Sequence, residues 1–236
     1  DTGMHRLGIA PAQLKTLYAR LQNNDKVAAP IRLMTHFACA DETSNPATTM
    51  QIDLFREAVA EAGVTEYSLA NSAGILGWPA SHADWVRPGI MLYGVSPFID
   101  SCGADHGLQP AMCLHSHLIA IKKLHKGDAI GYGAGYRCPR DMPIGVVAIG
   151  YGDGYPRHAK SGTPVLIKGR QVPLVGRVSM DMLTVDLSDC PDAQLDDDVI
   201  LWGEDLPVET IARHADTIAY ELLCSVTQRV RYEYSE

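Results

Sequence analysis

Four stretches in the first hundred residues place polar or cationic side chains where strands are predicted to end. Arg6 lies in the first, His36 in the second and Ser72 in the third, and Arg87 precedes Gly89 in the fourth. Because α/β folds place their sites at the carboxyl ends of parallel strands, we expect these residues to lie together. Guanidinium groups, a hydroxyl and turn N–H groups suit an anionic, phosphorylated ligand. Each residue alone also fits an ordinary role, such as a surface charge or a helix N-cap.

Two tyrosines lie in glycine-rich segments of the second half. Glycines flank both Tyr132 and Tyr151. The first segment partly matches a dinucleotide-binding loop, but Tyr136 stands where the last glycine belongs, and no helix is predicted to follow. A glycine-flanked loop can expose its tyrosine as a site wall or as a proton-transfer group, and a basic role requires positive charge nearby. A pair of plain turns is the alternative.

The spacing of histidines and cysteines does not favour a metal site. His106, His115 and His117 have no cysteine or carboxylate partner at ligand spacing, so we expect no metal here. The six cysteines form no CxxC pair, which is typical of reduced thiols in a cytoplasmic protein.

Residues 1–96 alternate strand and helix patterns. Apolar residues from Leu14 recur at helical spacing after Pro11. A second helix is predicted from Thr48, whose spacing from Gln51 indicates a capping box, to a stop at Gly63. Strands are predicted at 31–37, 67–71 and 85–93. This alternation predicts βα units around a parallel sheet.

The pattern changes at residues 97–110, which we interpret as a linker before a mainly β domain at 111–236. A turn is predicted at Lys168-Gly169-Arg170, and helical pattern returns only at 207–224. Strands are predicted at 112–122, 144–150, 163–168, 171–176, 182–187, 198–202 and 226–234. The predicted fold class is therefore α/β followed by all-β.

Composition excludes several classes of protein. The 236 residues are 46% hydrophobic and 20% charged, as in folded soluble proteins. The net charge of −8 argues against a nucleic-acid-binding surface. No apolar run is long enough to span a membrane, and we expect no signal peptide, because the first residues form neither a basic nor an apolar region.

Six motifs in order resemble bacterial alanine racemases. They begin at Asp1-Thr2-Gly3-Met4-His5-Arg6, Thr35-His36-Phe37-Ala38, Arg87-Pro88-Gly89-Ile90, Gly131-Tyr132-Gly133, Gly150-Tyr151-Gly152-Asp153 and Val175-Gly176-Arg177-Val178-Ser179-Met180. The resemblance implies the C-terminal half of a TIM-type (β/α)8 barrel followed by a β-domain, in a homodimer with composite active sites. It also implies pyridoxal 5′-phosphate as cofactor and alanine as substrate. The activity would be interconversion of L- and D-alanine through a cofactor aldimine by two-base proton transfer, for cell-wall synthesis or alanine catabolism.

The resemblance also implies a role for each matched residue. Tyr132 would be the base for the L-enantiomer in the partner subunit's site, with His36 and Arg87 nearby and Arg87 against the pyridine nitrogen. The cofactor phosphate would be held by Ser72, Gly89, Ile90 and Tyr220. Arg6 would contact the phenolic oxygen of the cofactor and the substrate carboxylate, and the Met180 backbone would contact the same carboxylate. Tyr151 would narrow the entrance.

The chain departs from the family at the lysine that forms the Schiff base with the cofactor. The family carries it in a Lys-Ala-Asn-Ala-Tyr-Gly-type motif on the first barrel strand, and no such motif is present. A TIM-type barrel needs roughly 250 residues, so 96 residues cannot close one. We therefore expect a C-terminal portion of the enzyme that is inactive by itself.

Two other readings remain open. The first is another enzyme of the same architecture, either a broad-specificity racemase or an amino-acid decarboxylase. The second is a non-catalytic piece or binding module.

Overall fold

The computed structural model describes residues 1–234, which divide into two compact units, one at Asp1–Leu108 and one that begins at Gln109. The first unit is α/β and the second is mainly β, which confirms the predicted fold class. Among the described residues, no helix is both long and apolar enough to cross a bilayer.

Short parallel strands and helices alternate in the first unit. Strands β1 and β2 pair in parallel, and Trp85 adds a parallel bridge to Ser68. The bounds are α1 Leu14–Gln22, β1 Leu33–Met34, α2 Ala47–Ala62, β2 Tyr67–Ser68 and α3 Ser72–Gly77, with 3-10 helices at Pro11–Gln13, Pro79–Ser81, Ile90–Tyr93 and Gly103–His106.

The long helix α2 contributes one apolar face to the core of the first unit. Ile52, Phe55 and Val59 recur at three- and four-residue spacing and are buried with Phe37 and Leu69. This is the apolar face that the helical periodicity predicts. Helix α2 ends at Gly63, whose φ of 68° is the left-handed conformation of a C-terminal cap.

Two local predictions in the first unit are wrong. The predicted capping box of Thr48 and Gln51 is absent, because the helix begins one residue before Thr48 and Gln51 turns away from the helix end. The strand predicted at 85–93 is limited to the bridge at Trp85, and residues 90–93 form a 3-10 helix instead. Pro88 and Gly89 interrupt the extended backbone, which is where proline and glycine most often end a strand.

The second unit contains a six-stranded antiparallel sheet made of β3 Leu114–Leu124, β6 Met142–Val147, β7 Pro164–Ile167, β8 Arg170–Pro173, β9 Leu183–Asp186 and β10 Asp198–Trp202. These strands lie in the order β8-β7-β10-β3-β6-β9. A bridge between Leu174, just after β8, and Val185 of β9 joins the two edges into a nearly closed barrel. The other elements of this unit are the strand pair β4 Ala129–Ile130 and β5 Tyr136–Arg137, the 3-10 helices Tyr132–Ala134 and Tyr151–Asp153, and the helices α4 Val208–His214 and α5 Ala219–Ser225.

The predicted turn between β7 and β8 is confirmed. Lys168 and Gly169 both have positive φ, 52° and 73°, which is the backbone of a two-residue type I′ hairpin turn. The strand predicted at 226–234 is wrong, since these residues form no strand. This segment forms hydrogen bonds with the loop that carries Tyr151 instead.

Candidate active site

The guanidinium of Arg87 is held at the ends of both parallel strands. Its Nη1 donates to Ser68 Oγ at 2.5 Å, and its Nη2 donates to the carbonyls of Thr35 and Leu69 at 2.8 and 3.2 Å. The Arg87 backbone N–H bonds to the Ala70 carbonyl at 2.9 Å. No acceptor among the described residues meets Nε. The side chain is thus fixed in position while its Nε–H remains available to a ligand.

Gln51 of helix α2 holds the segment that carries His36. Its Nε2 donates to Thr2 Oγ1 and to the His36 carbonyl, both at 3.1 Å, and its Oε1 accepts from the Ala38 N–H at 2.9 Å. The side chain is almost fully buried. A buried amide with three such bonds positions backbone rather than only filling space. The sequence pattern missed this role because it assigned Gln51 to a capping box.

His36 lies in a positively charged environment. Burial lowers the pKa of its imidazole, and the nearby charges of Arg87 and Arg6 lower it further. Arg6, His36 and Arg87 therefore lie close enough to interact, as their positions near strand ends predict. The imidazole is held in its neutral form, which has one donor and one acceptor nitrogen.

Ser72, Gly89 and Ile90 come together at the start of two short helices. Ser72 Oγ accepts from the Gly89 N–H at 2.9 Å and from the Met91 N–H at 3.4 Å. The hydroxyl proton of this buried serine has no acceptor among the described residues. The N–H of Ile90, the first residue of the 3-10 helix Ile90–Tyr93, has no acceptor there either. Unused donors converge here, as an anionic ligand requires.

Tyr132 is presented to solvent by its glycine-flanked turn. The side chain is 72% exposed, on a 3-10 turn at Tyr132–Ala134. A Cβ on Gly133 would lie 3.2 Å from Arg177 Nη1. The missing side chain therefore lets the Arg177 guanidinium pack against the tyrosine turn.

The segments that carry Tyr151 and Met180 are joined through their backbones. The Tyr151 N–H donates to the Ser179 carbonyl at 3.0 Å, and the Gly152 N–H donates to the Met180 carbonyl at 2.8 Å. The Met180 N–H itself has no acceptor in the described part of the chain. Both side chains are partly exposed, at 41% and 52%.

The C-terminal segment packs on this pair of loops. Thr227 donates through its backbone N–H to the Asp153 carbonyl and through Oγ1 to the Gly152 carbonyl, both at 3.0 Å. Gly154, with a φ of 104°, has its Cα so near the Ser225 carbonyl that a side chain would collide with it. These bonds replace the sheet pairing that a final strand would make.

The other predicted residues divide between the units. Ile90 is buried, and Gly89 and Arg6 are exposed, all in the first unit. Tyr220 lies on α5 of the second unit and is 45% exposed. The two groups are Arg6, His36, Ser72, Arg87, Gly89 and Ile90 in the first unit, and Tyr132, Tyr151, Met180 and Tyr220 in the second.

A groove of about 530 Å³ lies elsewhere on the first unit. Its lining includes Asp41, Glu42, Phe98 and His106, and none of the predicted site residues. The carboxylates make it a poor match for a phosphorylated ligand. The donor cluster around Arg87 is therefore the better candidate site.

The first unit consists of parallel βα units with a cationic cluster at their strand ends, and an antiparallel β-barrel follows it in the chain. This combination defines a two-domain class of α/β plus β proteins. Comparison with known proteins identifies the family within that class. A model of the alanine racemase N-terminal domain matches residues 1–97, and a model of the C-terminal domain matches residues 111–234. The chain belongs to the alanine racemase family.

Individual relatives agree with this assignment. An alanine racemase of Shewanella sediminis is 57% identical over 230 residues, which are 98% of this chain and 64% of the relative. One of Vibrio parahaemolyticus is 52% identical, with 100% of this chain and 66% of the relative covered. The crystal structure of the biosynthetic alanine racemase of Pseudomonas aeruginosa matches with a TM-score of 0.96 and 50% identity, over 100% of this chain and 65% of that one. The chain thus spans just under two thirds of the length of these curated relatives.

Proposed function

We propose that this chain forms the larger part of an alanine racemase, which interconverts L- and D-alanine. The observation that carries the proposal is the fixed Arg87 guanidinium beside the Ser72 and Ile90 donors, in a chain of this family. The activity belongs to a protein with the relatives' full length. The lysines of the first unit are Lys15 and Lys26. Neither side chain bonds to the residues around Arg87, so we assign neither of them the Schiff-base role.

The donors present fit pyridoxal 5′-phosphate. Its phosphate needs several N–H and O–H donors, and the Ser72 hydroxyl and the Ile90 N–H are both unused, with Gly89 leaving space beside them. Its pyridine nitrogen can accept a hydrogen bond from Arg87 Nε. When bound, this cofactor acts as an electron sink that acidifies the Cα proton of the amino acid.

Arg87 determines which reactions the bound cofactor favours. A guanidinium is always charged and can only donate, so a ring nitrogen facing it stays unprotonated and withdraws electrons less strongly. This favours reversible proton transfer over loss of carbon dioxide. It therefore favours a racemase over a decarboxylase of the same architecture, whereas a broad-specificity racemase remains the second candidate.

The remaining residues supply orientation and proton transfer. We assign Arg6 to the substrate carboxylate and the phenolic oxygen, and the unbonded Met180 N–H to the same carboxylate. We assign His36 to the charged neighbourhood of Arg87 and Arg6, and Tyr220 to the phosphate as a further ligand. Tyr132 is the proposed base for L-alanine, with Tyr151 at the entrance.

The exposed Tyr132 turn supports a composite site in a homodimer. A tyrosine oxygen acts as a base only where positive charge stabilises its ionised form. If Tyr132 reached the site of a second subunit, Arg6 and Arg87 of that subunit would provide the positive charge. We also infer a cytoplasmic location, because no disulfide joins any of the six cysteines in the described chain.

The decisive experiment is Tyr132→Phe in the protein extended to the relatives' length. We expect L-to-D racemisation to fall about 10²–10⁴-fold, the usual contribution of a positioned base. Exchange of the L-alanine Cα hydrogen in deuterated water should fall in parallel. Tyr136→Phe, which changes a tyrosine in the same glycine-rich segment, is the matched control and should retain activity. Full activity of Tyr132→Phe would refute the base assignment.

A separate measurement tests the chain by itself. Added pyridoxal 5′-phosphate should bind without the near-visible absorption band of a Schiff base, and borohydride should leave no cofactor attached. A near-visible band that disappears on borohydride reduction and leaves the cofactor covalently attached would show that one of the lysines present takes the Schiff-base role.

A further inference from the structure

Two histidines project from the same face of strand β3 in the second unit. Successive strand residues point to opposite faces, and here Leu114 and Leu118 are buried while His115 and His117 are exposed. The antiparallel neighbour β10 places Asp198 directly opposite His117, with Ile200 opposite His115. The strand register thus brings a carboxylate beside both imidazoles.

The three side chains already lie near ligand spacing. Asp198 Oδ1 is 3.2 Å from His117 Nδ1 and 3.9 Å from His115 Nδ1. Potential ligand atoms of all three residues lie within 4.8 Å of one another. Tetrahedral Zn²⁺, with bonds of about 2.0–2.1 Å, holds its ligand atoms about 3.3 Å apart. Small rotations of these exposed side chains would close the remaining gap.

We propose that His115, His117 and Asp198 form a binding site for a divalent transition-metal ion such as Zn²⁺. Two imidazoles and one carboxylate are a donor set that zinc accepts, with a water molecule in the fourth position. The set also excludes other ions, because Mg²⁺ and Ca²⁺ prefer oxygen ligands throughout. Sequence spacing shows only the two histidines, since their carboxylate partner comes from a distant strand.

The groups around the cluster are compatible with this choice. The carboxylates of Asp198 and Asp205 both lie near Cys113, two residues before His115. Asp205 adds negative charge that attracts a cation to this edge of the barrel.

A bound ion would join β3 to β10, two neighbouring strands of the barrel. Because the unfolded chain does not hold the three ligands together, binding would stabilise the folded state by mass action. The site would raise the thermal unfolding midpoint of the second unit rather than supply a group for racemisation.

Titration calorimetry of the purified chain with zinc chloride tests the proposal. We expect one ion per chain, with affinity at least about tenfold weaker in His117→Ala, as expected for loss of a direct ligand. His125→Ala is the matched control, because His125 also pairs with an aspartate, with its Nδ1 3.3 Å from Asp141 Oδ2, and has no second histidine in the pair. It should bind zinc like the unmodified chain.

A second readout separates a built site from surface binding. Zinc should raise the midpoint of thermal unfolding in the unmodified chain and in His125→Ala, but not in His117→Ala or Asp198→Asn. Absence of binding by the unmodified chain would overturn the proposal. Equal weakening in the His117 and His125 variants would do so as well, because it would indicate only general histidine–metal contact.

Discussion

The Arg229 guanidinium donates a 2.6 Å hydrogen bond from Nη2 to Asp181 Oδ1, one residue beyond Met180. Its Nε lies 3.3 Å from Asp153 Oδ1, in the loop that begins with Tyr151. Asp153 also accepts from the Gly150 N–H at 2.9 Å. One arginine from the C-terminal segment therefore joins the loops that present the entrance tyrosine and the proposed carboxylate-binding N–H.

Arg229→Ala should loosen these two loops while leaving the barrel folded. Without the guanidinium, Asp153 and Asp181 lose their common partner, so residues 150–154 and 180–182 should exchange amide hydrogens faster. In a protein of the relatives' length, we expect KM for alanine to rise more than kcat falls. Hydrogen exchange followed by mass spectrometry measures the first effect and steady-state kinetics the second.

Arg231→Ala is the control for that substitution, because the one ion pair of Arg231 within residues 1–234 is with the exposed Glu233. It should leave exchange in both loops unchanged. If Arg229→Ala also left amide exchange unchanged, the pairing of Arg229 with Asp153 and Asp181 would not hold the two loops in place.

Gln51→Leu should destabilise the first unit and displace the His36 segment. The substitution removes the hydrogen bonds that Gln51 makes to the His36 carbonyl, the Ala38 N–H and Thr2 Oγ1, and each such bond contributes about 0.5–1.5 kcal/mol. Denaturant unfolding measures the loss of stability. Gln22→Leu, at an exposed position of α1, should change it by less than about 0.5 kcal/mol. Equal effects of the two substitutions would contradict the positioning role.

His36 should titrate below the ordinary histidine value of 6.5. Its pKa is lowered in the folded state, so the unfolded chain binds more protons between the two values, and stability rises with pH across that window. Acidification from 6.5 downward should therefore weaken the fold, and His36→Gln should reduce this pH dependence. Histidine NMR titration measures the pKa directly. A midpoint at or above 6.5 would contradict the assigned environment.

Tyr155→Phe should stabilise the second unit or leave it unchanged. The Tyr155 hydroxyl is buried without a hydrogen-bond partner among the described residues, and burial strongly raises its pKa. Its ring stacks on Trp202 with centroids 6.2 Å apart, a contact that phenylalanine keeps. Removing an unpaired buried hydroxyl should contribute up to about 1–3 kcal/mol. Thermal unfolding checks this, and a clear loss of stability would show that the hydroxyl has a partner, such as a buried water.

The amino-acid sequence alone was sufficient for the elements that depend on local chemistry. The apolar periodicity of α2, the left-handed stop at Gly63 and the Lys168-Gly169 turn follow from residue type and spacing, and the structure confirms all three. The family follows from its ordered motifs. The residue-by-residue roles at the site remain predictions.

Tertiary structure decided what depends on residues far apart in the chain. Gln51 has the spacing of a helix cap, but three partners on other segments satisfy its amide better than a helix end would. Residues 226–230 have strand-like composition, yet their polar groups find partners on the Asp153 loop. Asp198 meets two histidines only because of the strand register. A side chain's best hydrogen-bond partner is set by the packed neighbourhood, which local periodicity does not encode.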